Sequence, residues 1–156
     1  MGIRSNMLTM SREQRARVLQ TALGKAKADV VLSDGQLVNV YSGEILPDLW
    51  VAIKENRVAY VGPPQLELVD DHTVIHELEG RFLLPGFIDG HTHLDSIFQV
   101  RDYTEYALAY GNTTAVSEVA MIANAMGTEG VEFFLKETEN LPLRVFVLAP
   151  PLVPPF

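Results

Sequence analysis

The stretch "LLPGFIDGHTHLDS", Leu83–Ser96, decides how this chain is interpreted, because it holds two of only four histidines. An apolar run leads into His91 and His93. In a strand, residues i and i+2 point to the same face, so the two imidazoles project together while Thr92 faces away. Two adjacent imidazoles make half of a site for Zn²⁺, Mn²⁺ or Fe²⁺. The alternative is an ordinary polar strand end, and the surrounding "PGFIDGHTHLD" favours the metal site.

Strands and helices alternate in the second half of the chain. The predicted strands are "FIDGHTHL", "NTTAVSEVA" and "LRVFVLAP", and the predicted helices cover Asp102–Tyr110 and Gly130–Asn140. Strands separated by helices imply βαβ units around a parallel sheet. A closed TIM (β/α)₈ barrel needs on the order of 250 residues, so three units predict only its beginning. His91 and His93 then lie at the carboxyl end of the first barrel strand, where catalytic groups gather.

The first half of the chain predicts one helix followed by short strands. Ser11 fits an N-cap for a helix over Arg12–Leu23. From Ala28 onward the strand pattern is interrupted by turn signals. These signals are Asp34–Gly35, Ser42–Gly43 and Glu55–Asn56. Short antiparallel strands at this spacing indicate a small β-sandwich or barrel.

These patterns divide the chain into three segments. Residues 1–27 carry the leading helix, residues 28–84 form a β-sandwich companion part, and residues 85–156 begin a truncated barrel. The predicted fold class is α/β plus β, a small β-sandwich followed by the first three β/α units of an incomplete TIM (β/α)₈ barrel. A hydrophobic share of 47% and a charged share of 21% are typical of globular proteins.

Charge and composition exclude several classes of partner and site. The net charge of −8 repels phosphate backbones, which argues against nucleic acid as a partner. The chain has no cysteine, which excludes disulfides and thiolate metal sites and fits a reducing cytoplasm. No segment approaches the roughly 18 apolar residues that cross a bilayer, and no signal-peptide core is present. We therefore expect a cytoplasmic protein with neither a membrane nor a nucleic acid partner.

Several segments resemble one known family. "LLPGFIDGHTHLD" resembles the first-strand signature of the amidohydrolase superfamily, metal-dependent hydrolases with a TIM barrel and a companion β-sandwich. "ALGKAKADVVLSDGQLVNVYSGEI" is similar to the amino-terminal segment of adenine deaminases. "YGNTTAVSEVAMIANAMGTEGVEFFL" and "LPLRVFVLAP" resemble the second and third β/α units of those enzymes. The resemblance implies that His91 and His93 bind the metal.

The resemblance also implies an activity, a cofactor and a substrate. A divalent ion, Mn²⁺, Fe²⁺ or Zn²⁺, lowers the pKa of bound water from ~15.7 toward ~7. The resulting hydroxide attacks C6 of adenine, and ammonia leaves to give hypoxanthine. The expected substrate is therefore a small purine-like molecule, and the expected protein is a metal-dependent aminohydrolase.

The sequence departs from adenine deaminases in two places. Those enzymes commonly carry Asp-Pro-His-Glu after the second strand, where this chain has "EVAM", Glu118–Met121. Asp95 stands where a glutamate is usual. Two alternatives therefore stay open. One is an amidohydrolase of the dihydroorotase or hydantoinase kind that acts on a cyclic amide, and the other is a truncated remnant without catalysis.

Three carboxylates near the histidines are further candidates, each with a structural alternative. Asp89 supports a metal ligand or makes a local hydrogen bond. Asp95 faces the substrate or caps a helix, and the cap is favoured. Glu118, at the end of the second strand, approaches the metal or substrate or is a polar strand end. His72 and His76 are interpreted as solvated.

The predicted oligomer follows from the open sheet of an incomplete barrel. Unpaired strand edges and apolar faces favour a homo-oligomer or pairing through the open barrel edge. Two histidines also fall short of the three or more protein ligands that catalytic metal sites generally use. We therefore expect the 156 residues alone to bind metal weakly and to be inactive. Tyr103, Tyr106 and Tyr110 are expected to pack in a helix.

Overall fold

A computed structural model describes residues 10–96 and 99–150, in two compact units, Met1–Leu84 and Pro85–Phe156. The outer parts of the predicted segments 1–27 and 85–156 lie outside the described residues. In the described ranges, no helix is long and apolar enough to cross a membrane.

The first unit is a mixed sheet with one helix packed on it. The helix α1 spans Arg12–Ala22, as predicted to within one residue. Its N-terminus is a capping box, in which the Ser11 hydroxyl accepts from the backbone of Gln14 and the Gln14 side chain accepts from the backbone of Ser11. The strands are β1 Val30–Asn39, β2 Glu44–Lys54, β3 Arg57–Gly62, β4 Val74–Glu77 and β5 Phe82–Leu83. A 3₁₀ turn at Leu66–Leu68 precedes β4.

The predicted turn at Asp34–Gly35 is wrong. β1 runs through this position without reversing, and the register against β2 shifts on both sides of Gly35. Asp34 takes a positive φ of 52°, and a Cβ on Gly35 would lie 2.6 Å from the side chain of Leu78. An Asp-Gly pair suits a bulge as well as a turn, since both need the left-handed backbone region.

The strand directions also differ from the prediction. β1, β2 and β3 are antiparallel neighbours, but β4 and β5 both pair with β1 in parallel. All five strands belong to one sheet in the order β3-β2-β1-β4, with β5 beside β1. The core between sheet, helix and loops is small, and its buried residues are Ala28, Val31, Ala52 and Leu68. A sandwich needs a second sheet, which the described residues of this unit do not supply.

The β2–β3 hairpin turns at Glu55–Asn56, as predicted. Both residues have positive φ, 53° and 56°, the conformation of a two-residue hairpin turn whose twist matches the strands. The Glu55 carboxylate accepts hydrogen bonds from Arg17 and from Gln14 on α1. The tight turn is thereby tied to the helix that covers the sheet.

The second unit contains three parallel strands joined by helices. Its elements are β6 Phe87–Thr92, α2 Val100–Ala109, β7 Asn112–Glu118, α3 Ala120–Glu137 and β8 Arg144–Leu148. The strand order β6-β7-β8 follows the chain. The buried core includes Ala115 and Val145 from the sheet and Ala107 and Phe134 from the helices. The helices therefore cover one face of the sheet, as in a βαβ arrangement.

The predicted bounds of α3 are wrong at the N-terminus. The expected helix began at Gly130, but α3 begins ten residues earlier at Ala120. Gly127 interrupts it with φ 63° and ψ −143°, so two helical segments meet at a kink. Gly127 and Gly130 interrupt the helical pattern in the sequence, because glycine has a low helix propensity, and they hid the first segment.

Asn56 tests the left-handed turn. We expect Asn56→Val to lower the free energy of unfolding by about 1–2 kcal/mol, because a β-branched residue clashes at positive φ. Asn56→Gly should keep the parental value or exceed it, since glycine has no Cβ. Urea denaturation followed by circular dichroism measures both variants. A valine variant as stable as the glycine variant would contradict the assigned turn.

Candidate metal centre

The carboxyl ends of β6 and β7 bring three candidate ligands together. The last pair in register between these parallel strands is Thr92 with Ser117. His91 and His93 flank Thr92, and Glu118 follows Ser117. Nε2 of His91 lies 3.5 Å and Nε2 of His93 lies 4.0 Å from Oε2 of Glu118. The imidazole centroids are 5.2 Å apart.

The donor set of this cluster, His91–His93–Glu118, fits a divalent metal ion. One ligand atom from each residue lies within 4.8 Å of the other two. Imidazole nitrogen and carboxylate oxygen bind Zn²⁺ at about 2.0–2.2 Å, so two donors on one ion lie roughly 3–4 Å apart. The side chains of His91 and His93 are 61% and 45% exposed and that of Glu118 is 23% exposed. An ion from solvent can therefore reach all three.

The register between β6 and β7 is irregular in the segment that leads to the two histidines. Between Asp89 and Thr92 the chain advances three residues while β7 advances two, from Ala115 to Ser117. The backbone N–H of His91 donates to Oδ1 of Asp89 at 3.2 Å. A side chain that binds nearby backbone competes with the strand ladder and favours such a bulge. Simple alternation along the strand therefore does not relate Asp89 to His91.

Asp89 is bonded to the backbone and to a tyrosine. Its Oδ2 accepts from the hydroxyl of Tyr103 on α2 at 3.2 Å. Sequence reasoning gave Tyr103 only a packing role, and the structure adds this hydrogen bond. Burial raises the pKa of Tyr103 above its ordinary value, and the hydrogen bond to Asp89 and the charge of Asp89 raise it further. Asp89 thus links the strand that carries the histidines to the next helix.

Asp95 caps a helix, although not the one that follows it. Its Oδ2 accepts from the backbone N–H of Ile122 at 3.0 Å, in the first turn of α3. A carboxylate there satisfies a free helical N–H and complements the helix dipole. Oδ1 of Asp95 is the one buried side-chain oxygen or nitrogen without a hydrogen-bond partner among the described residues. The favoured interpretation as a cap is therefore right in kind and wrong in the helix.

The remaining two histidines belong to the first unit. His72 and His76 are exposed residues of the first unit, consistent with their interpretation as solvated.

Ser117 was missed by sequence reasoning. It is fully buried, and its hydroxyl accepts from the backbone N–H of Leu94 at 3.0 Å. The sequence signal that could have identified Ser117 is a small polar residue in a strand rich in β-branched residues.

Tyr103 gives a pH test of the link between α2 and β6. The pKa of Tyr103 is raised in the folded state, so its hydrogen bond to Asp89 adds to the free energy of unfolding below the ordinary tyrosine pKa of about 10. This contribution is lost as the pH rises through the raised pKa. We expect Tyr103→Phe to lower the free energy of unfolding by about 1 kcal/mol at pH 7. The difference from the parent should shrink above about pH 10.

Tyr106→Phe is the matched control, because Tyr106 lies on the same helix and is 67% exposed. It should leave stability unchanged at pH 7. Urea denaturation at several pH values measures all three proteins. A Tyr103→Phe difference that grows with pH would contradict the assigned hydrogen bond.

The amidohydrolase family model matches residues 82–155, the part of the chain that carries the cluster. Adenine deaminase 3 of Rhizobium meliloti is 38% identical over 149 residues, 95% of this chain and 25% of that protein. The adenine deaminase of Moorella thermoacetica is 38% identical over 144 residues, 91% of this chain and 24% of that protein. This chain thus spans about a quarter of the length of these relatives.

Solved structures show a similar fold at low identity. An N-acyl-D-glutamate deacylase from Bordetella bronchiseptica, solved with zinc, has a TM-score of 0.57 and 17% identity over 79% of this chain and 29% of that chain. A Xaa-Pro dipeptidase has a TM-score of 0.59 and 14% identity over 77% of this chain and 33% of that chain. At this identity the likeness shows the fold alone, and it supports the mixed α/β prediction. The resemblance inferred from the sequence is confirmed: residues 82–155 match the amidohydrolase family model, and the chain is similar over about nine tenths of its length to the amino-terminal part of proteins named adenine deaminase.

Proposed function

We propose that this chain is the amino-terminal part of an adenine deaminase-like aminohydrolase, which converts adenine and water to hypoxanthine and ammonia. The observation that carries the proposal is the cluster of His91, His93 and Glu118 at the strand ends of the family-matched unit. Relatives named adenine deaminase at 33–38% identity over about nine tenths of the chain support the substrate class.

We propose that His91 and His93 bind the ion through Nε2 and that Glu118 completes the part of the site supplied by these residues. Mn²⁺, Fe²⁺ and Zn²⁺ all accept imidazole and carboxylate ligands. Such an ion, when bound, makes a water nucleophilic at neutral pH. A carboxylate partner also offsets the ion's charge and keeps the imidazoles oriented.

The chain's own groups also hold the site open and ordered. Glu118 is less exposed than the two imidazoles, so it forms the floor of the cluster while the imidazoles face solvent. A carboxylate in that position accepts a proton from the attacking water or donates one to the leaving nitrogen. The amine leaves adenine as ammonia only after it has gained that proton. We assign Asp89 and Asp95 to positioning roles, because their oxygens bind backbone and helix.

Substrate identity is the finer part of the proposal. Glu118 retains a carboxylate where adenine deaminases commonly begin an acidic run, but Ala120 and Met121 replace a histidine and an acid. Met121 is 59% exposed at the start of α3. An apolar residue there makes this side of the site less polar than in those enzymes. A cyclic amide substrate is therefore the alternative that the assay must separate from adenine.

We also propose roles for the two units and a partner. The single sheet of residues 28–84 is one layer of a companion sandwich, and residues 85–156 begin the catalytic barrel. Strands β6 and β8 each pair on one side only among the described strands. Such edges attract a further strand, which favours a homo-oligomer or pairing with another chain.

We place the enzyme in the cytoplasm. A chain without cysteine forms no disulfide, so it does not need an oxidising compartment.

Metal binding tests the cluster. In the natively expressed polypeptide that contains this chain, we expect the double variant His91→Ala, His93→Ala to lose the bound Zn²⁺ or Mn²⁺ that elemental analysis detects in the parent after dialysis. Glu118→Gln keeps the side-chain volume but removes the charge, so it should weaken binding without abolishing it. The double variant His72→Ala, His76→Ala is the control, since it also removes two imidazoles. Equal metal content in both double variants would exclude the proposed site.

Substrate turnover tests the reaction. The natively expressed polypeptide that contains this chain, loaded with Mn²⁺, should release ammonia from adenine and form hypoxanthine. Ammonia release and the ultraviolet spectrum of the purine measure this directly. Dihydroorotate and a hydantoin are the comparison substrates. Turnover of either one with adenine inert would assign the protein to the cyclic-amide alternative.

A further inference from the structure

We propose that Ser117 is a positioning residue that sets the separation between His93 and Glu118. The inference rests on the proposed metal site, because its effect on function is exerted through the cluster. Ser117 is the residue before Glu118, and its hydroxyl accepts from the backbone N–H of Leu94, the residue after His93, at 3.0 Å. One side chain therefore connects the backbone segments that carry two of the three ligands.

The strand ladder alone does not supply this connection. Thr92 and Ser117 are the last residues that β6 and β7 pair in register. His93 lies beyond that pair, and the ladder is already irregular between Asp89 and Thr92. The Leu94 N–H would otherwise be a buried donor at a strand end, which costs free energy unless it is hydrogen-bonded. The Ser117 hydroxyl satisfies it and extends the link between the strands by one step.

The hydroxyl binds both sides of the cluster. As a donor it contacts the backbone carbonyl of Glu118 at 3.4 Å, while as an acceptor it binds Leu94. Ser117 is 0% exposed and Leu94 is 4% exposed, so water does not compete for these groups. The contact with Leu94 is the shorter of the two, and the contact with Glu118 is long for a hydrogen bond between oxygens. The hydroxyl therefore connects the backbone that follows His93 with the backbone of Glu118.

The turn after His93 is held at further points. The Ser96 hydroxyl donates to the His93 carbonyl at 2.9 Å. Asp95, two residues after His93, accepts from the Ile122 N–H in α3. The segment from His93 to Ser96 is thus attached to β7 through Ser117 and to α3 through Asp95. Of these links, only Ser117 also contacts the residue that carries the carboxylate ligand.

A matched control separates positioning from general stability. Thr104 is another buried hydroxyl residue in the same unit, 4% exposed, and its hydroxyl donates to the Val100 carbonyl within α2. Thr104→Val removes a buried hydroxyl with little change in shape and touches no residue of the cluster. Ser117→Ala removes the hydroxyl that connects the two strands. Ser117→Cys keeps more of the volume and provides a weaker acceptor.

The test measures Zn²⁺ affinity by isothermal titration calorimetry on the natively expressed polypeptide that contains this chain, with amide hydrogen exchange at Leu94 as a second readout. We expect Ser117→Ala to weaken Zn²⁺ binding by about 10–100-fold, the range for residues that orient metal ligands. Thr104→Val should stay within about twofold of the parent. In the metal-free chain, the Leu94 amide should exchange faster in Ser117→Ala than in the parent, with Val145 unchanged. If the alanine variant does not fold, Ser117→Cys decides, with an intermediate loss expected.

The two hypotheses fail in different ways. A parent that binds no Zn²⁺ rejects the proposed metal site, while exchange at Leu94 still reports whether Ser117 holds the turn. A parent that binds Zn²⁺ and a Ser117→Ala variant that binds it equally well overturn the positioning role. Equal weakening in Ser117→Ala and Thr104→Val also overturns it, because the effect would then be one of stability.

Discussion

The parallel register between β6 and β7 is the constraint on which the candidate site depends. With Thr92 opposite Ser117, the next residue along each chain segment becomes a neighbour of the other, and these are His93 and Glu118. A slip of one residue would turn the Glu118 side chain to the other face of the sheet. The buried contacts of Ala115, Val119 and Val145 with the helices keep that register, because a slip would expose them. Packing on one face of the sheet therefore sets the geometry of the ligands at its edge.

The bulge in β6 shows how local and tertiary forces combine at this edge. The Asp89 carboxylate accepts a hydrogen bond from the backbone N–H of His91, which removes that N–H from the hydrogen bonding between strands. Tyr103 holds the other carboxylate oxygen, so α2 supports the irregular segment from the side. The imidazoles can then approach one carboxylate oxygen at 3.5 and 4.0 Å. In an ideal strand, the same two imidazoles would not necessarily approach one oxygen of Glu118.

The proposed metal site lies beside residues that depart from the family pattern that the sequence resembles. In that resemblance His91 and His93 correspond to the two histidines of the H-x-H motif, and Glu118 keeps a carboxylate at the end of the second strand. The positions after Glu118 begin α3 and carry Ala120 and Met121, which cannot bind a metal ion or transfer protons. We propose that metal binding and substrate choice depend on different residues of the same strand end. The similarity to adenine deaminase 3 of Rhizobium meliloti covers 95% of this chain and therefore extends over both units.

The sequence by itself determined the order of elements, the hairpin turn at Glu55–Asn56 and the two histidine ligand candidates. These depend on short-range patterns, such as strand alternation, left-handed turn residues and the H-x-H spacing. Only the tertiary structure decided whether Asp34–Gly35 is a bulge or a turn, and whether β4 and β5 pair in parallel. It also decided that Asp95 caps α3, that Glu118 meets both imidazoles and that Ser117 binds Leu94. These contacts join residues up to 27 positions apart, and a local sequence pattern carries no information on which distant backbone group a side chain will meet.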